Sequence, residues 1–98
     1  MAVQHMVWLK FKDGVSEARI ERHMEALRGM KGKVPQVQYV TAGRSLVDRA
    51  GQYTHGLLVT VNSPEDLKAY EQHPEHQKVA QPLKADAEIA AIDIPDAP

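Results

Sequence analysis

Five histidines occur in a chain of only 98 residues, and the positions of two of them suggest proton-transfer chemistry. His73 and His76 stand three residues apart, and Tyr70 precedes His73 by the same spacing. Imidazole has an unperturbed pKa of about 6.5, so it can take and return protons near neutral pH. A tyrosine hydroxyl beside an imidazole can donate a hydrogen bond to a developing oxyanion. This combination suits removal of a proton next to a carbonyl group, with stabilisation of the resulting enolate.

Two further histidines lie on predicted strands. Residues 3–11 alternate in hydrophobicity, and His5 falls on the side that we expect to face the helices. His55 has the same parity in a second alternating segment, residues 53–61. Shared parity places both imidazoles on one face of the sheet.

Each of these residues also has a purely structural interpretation. An inward histidine on a strand can be a core residue whose ring is hydrogen-bonded to the backbone, since an unpaired buried polar group is costly. His73 precedes a proline at a helix break, where capping is expected. Tyr70 falls where an amphipathic helix would bury an aromatic ring. For His76 the functional and structural interpretations are evenly balanced.

A metal site is not expected from this pattern. His73 and His76 could share a cation, but a zinc site needs at least three protein ligands. The chain has no cysteine, and no inward-facing carboxylate is evident. There is also no glycine-rich phosphate loop, nucleophile elbow or dinucleotide fingerprint. The sequence therefore predicts chemistry without a cofactor.

The elements that must position these residues follow from hydrophobic periodicity and capping signals. Ser16 is predicted to cap a helix whose core stripe is Ile20, Met24, Leu27 and Met30. A second helical region begins after Ser63, is broken at His73-Pro74 and restarts there, and Pro82 is expected to kink or end it. The predicted strands cover residues 3–11, 37–43, 53–61 and 87–94.

The order strand, helix, two strands, helix, strand predicts an α+β fold. We expect a single domain over residues 1–98 with the ferredoxin-like βαββαβ arrangement, in which helices cover one face of a four-stranded antiparallel sheet. Residues 95–98 are expected to form an irregular tail. The opposite face would expose Met6, Trp8 and Leu58, and apolar patches of this kind mark interfaces. We therefore predict a homodimer packed sheet against sheet, with Trp8 near its centre.

The charge and hydropathy of the chain limit the classes of partner that we expect. Lys and Arg number 12 against 13 Asp and Glu, giving a formal charge of −1. No basic face is available to neutralise phosphates, so nucleic acid is not expected as a partner. The apolar runs are too short for a membrane span or signal peptide, and we expect no membrane association and a cytoplasmic location.

Four stretches of the chain together resemble the stress-responsive α/β-barrel domain family, Dabb. They are Val3–Lys12, Tyr53–His55, Leu67–His76 with its His-Pro-Glu-His break, and Ile92–Ile94. The resemblance spans nearly the whole chain. It implies a ferredoxin-like fold whose dimers form an α/β barrel, in agreement with the predicted dimer.

The same resemblance implies a function and a set of site residues. A plant polyketide cyclase of this family closes a linear polyketide by an intramolecular aldol condensation without a cofactor, with a histidine as general base and a tyrosine nearby. Matching residues place these roles on His76 and Tyr70, with His5 and His55 lining the pocket between sheet and helices. Met24 and Leu27 stand, with His23, where the cyclase has aromatic residues, which implies a pocket of different shape. The implied ligand is a small β-keto, polyketide-like carbonyl compound, and the implied activity is that of a cofactor-independent lyase or cyclase.

Two alternatives stay open at this stage. The chain could be a non-catalytic, stress-responsive dimeric protein whose pocket is filled by side chains, or a monooxygenase on the same dimeric barrel. A cavity of roughly 300 Å³ or more, lined by Tyr70, His76, His5 and His55, favours a ligand-binding protein, whereas a collapsed interior favours the first alternative.

Overall fold

A computed structural model describes residues 1–96 of the chain. Four strands form one antiparallel sheet in the order β2-β3-β1-β4, and the helices pack on one face of it. This is the predicted ferredoxin-like α+β sandwich. The elements are β1 (Val3–Phe11), α1 (Glu17–Arg28), β2 (Tyr39–Arg44), β3 (His55–Val61), α2 (Pro64–Gln72), α3 (Pro74–Asp86) and β4 (Ala87–Pro95).

Alternation along the two central strands decides which side chains face the helices. In β3 every second residue from His55 to Val61 is buried, and in β1 the buried Val7 and Leu9 share the parity of His5. The side chains of a strand point to opposite faces in turn. His5 and His55 therefore both lie on the helix-facing side, as predicted.

Helix α1 begins and ends where the capping signals predict. The Ser16 hydroxyl accepts a hydrogen bond from the backbone N–H of Arg19, and Gly29 follows the last helical residue. Ile20, Met24 and Leu27 are buried against the sheet, together with His23. Their spacing of three and four residues is that of one helix face, so the predicted core stripe is confirmed.

The second helical region is divided at His73, as the proline predicts. The Ser63 hydroxyl caps α2 by accepting from the Asp66 N–H, and His73 then separates α2 from α3. Pro74 has no N–H and cannot continue α2. The Nδ1 atom of His73 accepts a hydrogen bond from the Glu75 N–H at 3.1 Å, which caps α3 and matches the expected capping role.

Four predicted boundaries differ from the structure. The third strand begins at His55, two residues later than predicted. Val37 lies before β2, where its N–H bonds to the carbonyl of Val34 in a turn, although its side chain is buried in the core. Pro82 neither ends nor splits α3, which continues to Asp86, because Pro82 lies on the exposed side of the helix. Pro95 pairs with Val3 and belongs to β4, so only Asp96 of the predicted tail is described outside a strand; residues 97 and 98 lie outside the described part of the chain.

The face of the sheet opposite the helices carries an apolar surface. Met6 is paired with Leu58 on one side and Ile92 on the other, so the three side chains form a row across the sheet. Ile92 is 47% exposed and Ile94 is 42% exposed. Met6, Trp8 and Leu58 therefore lie on the outer face, as predicted. Ile92 and Ile94 of β4 extend this apolar surface.

Within residues 1–96, no helix combines the length and the apolar character needed to cross a membrane.

Candidate functional site

A cavity of about 490 Å³ opens between the helix-facing side of the sheet and helices α2 and α3. Its polar end carries His5, Tyr70 and His76. Volumes of this size suit small-molecule ligands. Its apolar walls include Leu27, Leu57, Val79, Leu83 and Ile89.

Three aromatic rings meet at the polar end of this cavity. The ring centroids of Tyr70 and His76 are 4.4 Å apart, and those of Tyr70 and His5 are 5.6 Å apart. Tyr70 comes from α2, His76 from the first turn of α3 and His5 from β1. The break at Pro74 thus turns the chain so that residues six apart in sequence place their rings in contact.

The helix break also fixes the orientation of His76. Helix α2 ends at Gln72, so the carbonyl of Glu71 has no partner within its own helix. Nδ1 of His76 lies 2.9 Å from that carbonyl oxygen, and the side-chain amide of Gln77 donates to the same oxygen at 2.7 Å. A carbonyl only accepts, so Nδ1 of His76 carries the proton and Nε2 is left as the acceptor. Burial lowers the pKa of His76 below 6.5, which keeps the ring neutral and able to accept a proton at pH 7.

Tyr70 keeps its proton, whereas His76 can accept one. Its side chain is 1% exposed, and burial, together with the nearby carboxylates of Glu71 and Asp93, raises its pKa well above the usual 10. The hydroxyl therefore stays protonated throughout the physiological range. No hydrogen bond within residues 1–96 engages this hydroxyl. Tyr70 can donate its proton in a hydrogen bond to a bound ligand.

His5 is held by a carboxylate that the sequence analysis did not identify. Asp93 lies directly opposite His5 on β4, and its Oδ1 atom is 2.5 Å from Nδ1 of His5. Nδ1 donates to the carboxylate, which leaves Nε2 of His5 as its free nitrogen. The signal for Asp93 was present in the alternation of β4, where it shares the parity of Ile89. Only the register of β4 against β1 shows that Asp93 lies opposite His5.

Two predicted pocket residues lie elsewhere. His55 pairs with Leu9, four residues along β1 from His5, which corresponds to about 13 Å along the strand. Its ring contacts Phe11 edge-on and bonds to the Thr54 hydroxyl, and burial, followed by the charge of Arg44, lowers its pKa. Met24 is packed in the core at 1% exposure. Neither residue lines the cavity, whereas Tyr70, His76, His5 and Leu27 do.

A second polar cluster lies at the far end of the helix layer. Asp86 is buried and accepts hydrogen bonds from Nε and Nη2 of Arg19 at 2.7 and 2.8 Å, and its Oδ2 atom is 2.7 Å from Nε2 of His23. These contacts, the His23 hydrogen bond first, lower the pKa of Asp86. The expectation of no inward carboxylate was therefore wrong, since Asp86 and Asp93 both point inward. The pairing of Asp86 ties α1 to the end of α3.

Histidine and carboxylate side chains do not converge into a metal-binding group among residues 1–96: no cluster of three or more could hold an ion.

The fold and the cavity together define a small α+β domain of the ferredoxin-like type with a cavity between the sheet and the helices. The chain belongs to the stress responsive A/B barrel domain family (Dabb), whose model matches residues 3–95. Olivetolic acid cyclase of Cannabis sativa is 33% identical over 78 residues, covering 78% of this chain and 77% of that protein.

Solved structures show the same fold at lower identity. A hydroxynitrile lyase from Passiflora edulis superposes with a TM-score of 0.89 at 20% identity, covering 99% of this chain and 95% of that one. A dimeric ferredoxin-like protein of unknown function from Jannaschia sp. superposes with a TM-score of 0.85 at 24% identity, covering 98% of this chain and 100% of that one. These likenesses establish the fold of the chain.

Proposed function

We propose that this protein binds a small β-keto carbonyl compound in the cavity and enolises it without a cofactor. The observation that carries the proposal is the convergence of His76 and Tyr70, with ring centroids 4.4 Å apart, at the polar end of a cavity of about 490 Å³. The cavity exceeds the expected volume, and three of the four expected residues line it while His55 does not, which favours a ligand site over a pocket filled by side chains. The relationship to a protein named olivetolic acid cyclase supports a cyclase-like reaction.

The chemistry follows from the protonation states. Nε2 of neutral His76 removes a proton from the carbon between two carbonyl groups, and the electron pair of that C–H bond moves onto a carbonyl oxygen. The Tyr70 hydroxyl donates a hydrogen bond to the enolate oxygen. In an aldol-type closure, the enolate carbon then attacks a second carbonyl of the same ligand, and the His76 imidazolium returns its proton to the new alkoxide. Only a proton is transferred and one carbon–carbon bond forms, so the step needs no redox partner.

His5 has a supporting role in this proposal. Its ring lies edge-on to Tyr70 and its Nδ1 atom is held by Asp93, so its Nε2 atom can bind a second ligand oxygen through a water or accept from a ligand hydroxyl. His55 and Met24 act on the ligand only through the packing around the cavity.

The test measures exchange of the α-hydrogens of a β-keto ester in D₂O by NMR. Replacing His76 with alanine is expected to reduce the exchange rate above background by about 10²- to 10⁴-fold, the usual contribution of general base catalysis. His73→Asn is the matched control. It removes the other imidazole of the helix break, and asparagine can still accept the hydrogen bond that caps α3. Unchanged exchange in His76→Ala would contradict the assignment of the base.

We also propose that the protein is a homodimer through the outer face of the sheet. Solved relatives of the same fold are described as dimeric. In this chain Trp8 is flanked across the sheet by Gly56 and Ala90, and Gly43 follows Gly56, so small residues leave a hollow of about 420 Å³ beside the indole. A partner's side chains can enter this hollow.

Sedimentation at micromolar concentration tests the dimer. The wild-type protein is expected at twice the chain mass of 10.9 kDa, and Trp8→Glu, which places a charge in the apolar surface, at the monomer mass. Arg22→Glu is the control, because it makes a similar change of charge at an exposed position of α1, on the opposite side of the sheet. A wild-type protein that sediments as a monomer would refute this part of the proposal.

A further inference from the structure

One face of α3 forms a wall of the cavity between residues 76 and 84. The side chains of His76, Ala80, Leu83 and Lys84 line the cavity from this helix. Residues 76 and 84 are eight apart, which separates them by about 12 Å along the helix axis. The wall therefore begins at the proposed base and ends at a lysine.

The two ends of the cavity differ in charge. Glu71 and Asp93 lie at the end that contains His76 and His5, and Asp93 is engaged by His5. Lys84 lies two turns further along α3, beside Leu83 and Ile89, and its charge reaches His76, where it adds to burial in lowering the pKa. A negatively charged ligand group is repelled from the histidine end and attracted to the lysine end. The cavity thus favours one orientation of an elongated ligand.

Lys84 also differs from the other lysines of the sheet and of α3. Lys10 lies 3.6 Å from Glu88, and Lys78 lies 3.4 Å from Glu75. The ion pairs formed among residues 1–96 do not engage Lys84, and the nearby Asp86 is occupied by Arg19 and His23. A lysine in the last turn stabilises the helix end, which accounts for its charge but not for its placement on the cavity wall.

From this geometry we propose that the ligand is a keto compound with a carboxylate at its far end, bound by Lys84 while its enolisable carbon lies at His76. This inference rests on the proposed function and specifies its substrate class. A charge-assisted contact between an ammonium and a carboxylate supplies both affinity and orientation. The apolar residues between the two ends accommodate the carbon chain that joins the two groups.

The experiment compares two ligands of equal length by calorimetric titration. Monomethyl 3-oxooctanedioate has a β-keto ester at one end and a free carboxylate at the other, and its dimethyl ester lacks the charge. The wild-type protein is expected to bind the carboxylate ligand about tenfold more tightly or better, as one charge-assisted contact allows. The preference is expected to shrink as salt is raised, because Lys84 is exposed to solvent.

Two lysine variants locate the effect. Lys84→Met retains the aliphatic stem and is expected to abolish the preference for the carboxylate, whereas Lys78→Met on the same helix is expected to keep it. Equal binding of the two ligands to the wild type, or a preference that survives in Lys84→Met, would overturn the inference.

The two proposals fail in different ways. If both ligands bind equally and His76-dependent exchange at the α-carbon persists, the proposed function stands and the carboxylate is rejected. If neither ligand binds, both the substrate class and the proposed ligand site are rejected.

Discussion

Replacement of Tyr70 with phenylalanine is expected to separate catalysis from stability. The Tyr70 ring packs against His76 and His5 and is almost fully buried, and phenylalanine retains these ring contacts. The hydroxyl forms no hydrogen bond within residues 1–96, so its removal leaves no protein group without a partner. We expect the free energy of unfolding to change by less than about 1 kcal/mol.

The effect on activity is expected to be much larger. In the proposed mechanism the hydroxyl donates to the developing enolate oxygen, and burial keeps it protonated. Loss of one such donor typically reduces the catalysed rate by about 10²- to 10³-fold, or roughly 2.7–4 kcal/mol of transition-state stabilisation. The two variants of this site, Tyr70→Phe and His76→Ala, are therefore expected to lose activity through different groups.

The assay combines α-hydrogen exchange of a β-keto ester with urea unfolding of the same samples. Tyr53→Phe is the matched control, because Tyr53 belongs to the loop between β2 and β3 and does not line the cavity. Wild-type exchange in Tyr70→Phe would refute the role of the hydroxyl. A loss of several kcal/mol of stability would show that the hydroxyl has a structural partner instead.

Two further predictions concern pH. Burial lowers the pKa of both His55 and His76, so the unfolded chain binds more protons than the folded chain below pH 6.5. The free energy of unfolding is therefore expected to fall as the pH falls from 7 towards 5. Urea titrations that show constant or rising stability over this range would contradict this prediction. The pKa of Asp86 is lowered by His23 and Arg19, so its contribution is present above pH 3.8 and is lost as the pH falls further. Asp86→Asn is therefore expected to lower Tm at neutral pH, and the difference in Tm from the wild type is expected to shrink below pH 3.8. A difference in Tm that does not change with pH would argue against the ion pair.

Local signals predicted the elements well where pattern and capping agree. Ser16, Ser63 and the His73-Pro74 break mark helix boundaries through backbone groups that need partners, and these rules act within a few residues. The parity of His5 and His55 is likewise local. Pro82 does not end α3, because a proline inside a helix is tolerated where its ring faces solvent, and that depends on the packing of α3 and not on the residue itself.

The composition of the site depends on register, which local patterns do not supply. Parity places His5 and His55 on one face, but the pairing of β1 with β3 separates them along the strands. The same dependence hid Asp93, which reaches His5 only because β4 pairs with β1 in that register. Asp86 was hidden for a related reason, since its partners Arg19 and His23 come from a helix that is distant in sequence.

The protonation state of His76 in the wild-type protein tests the account most directly. Nitrogen-15 NMR of labelled protein, recorded as a function of pH, reports which ring nitrogen carries the proton and the pKa of the ring. We expect a neutral ring at pH 7 with the proton on Nδ1, a pKa below 6.5, and a change in the Nε2 resonance when a β-keto ligand binds. A ring that is protonated at pH 7, or one whose neutral form carries its proton on Nε2, would contradict His76 as the base.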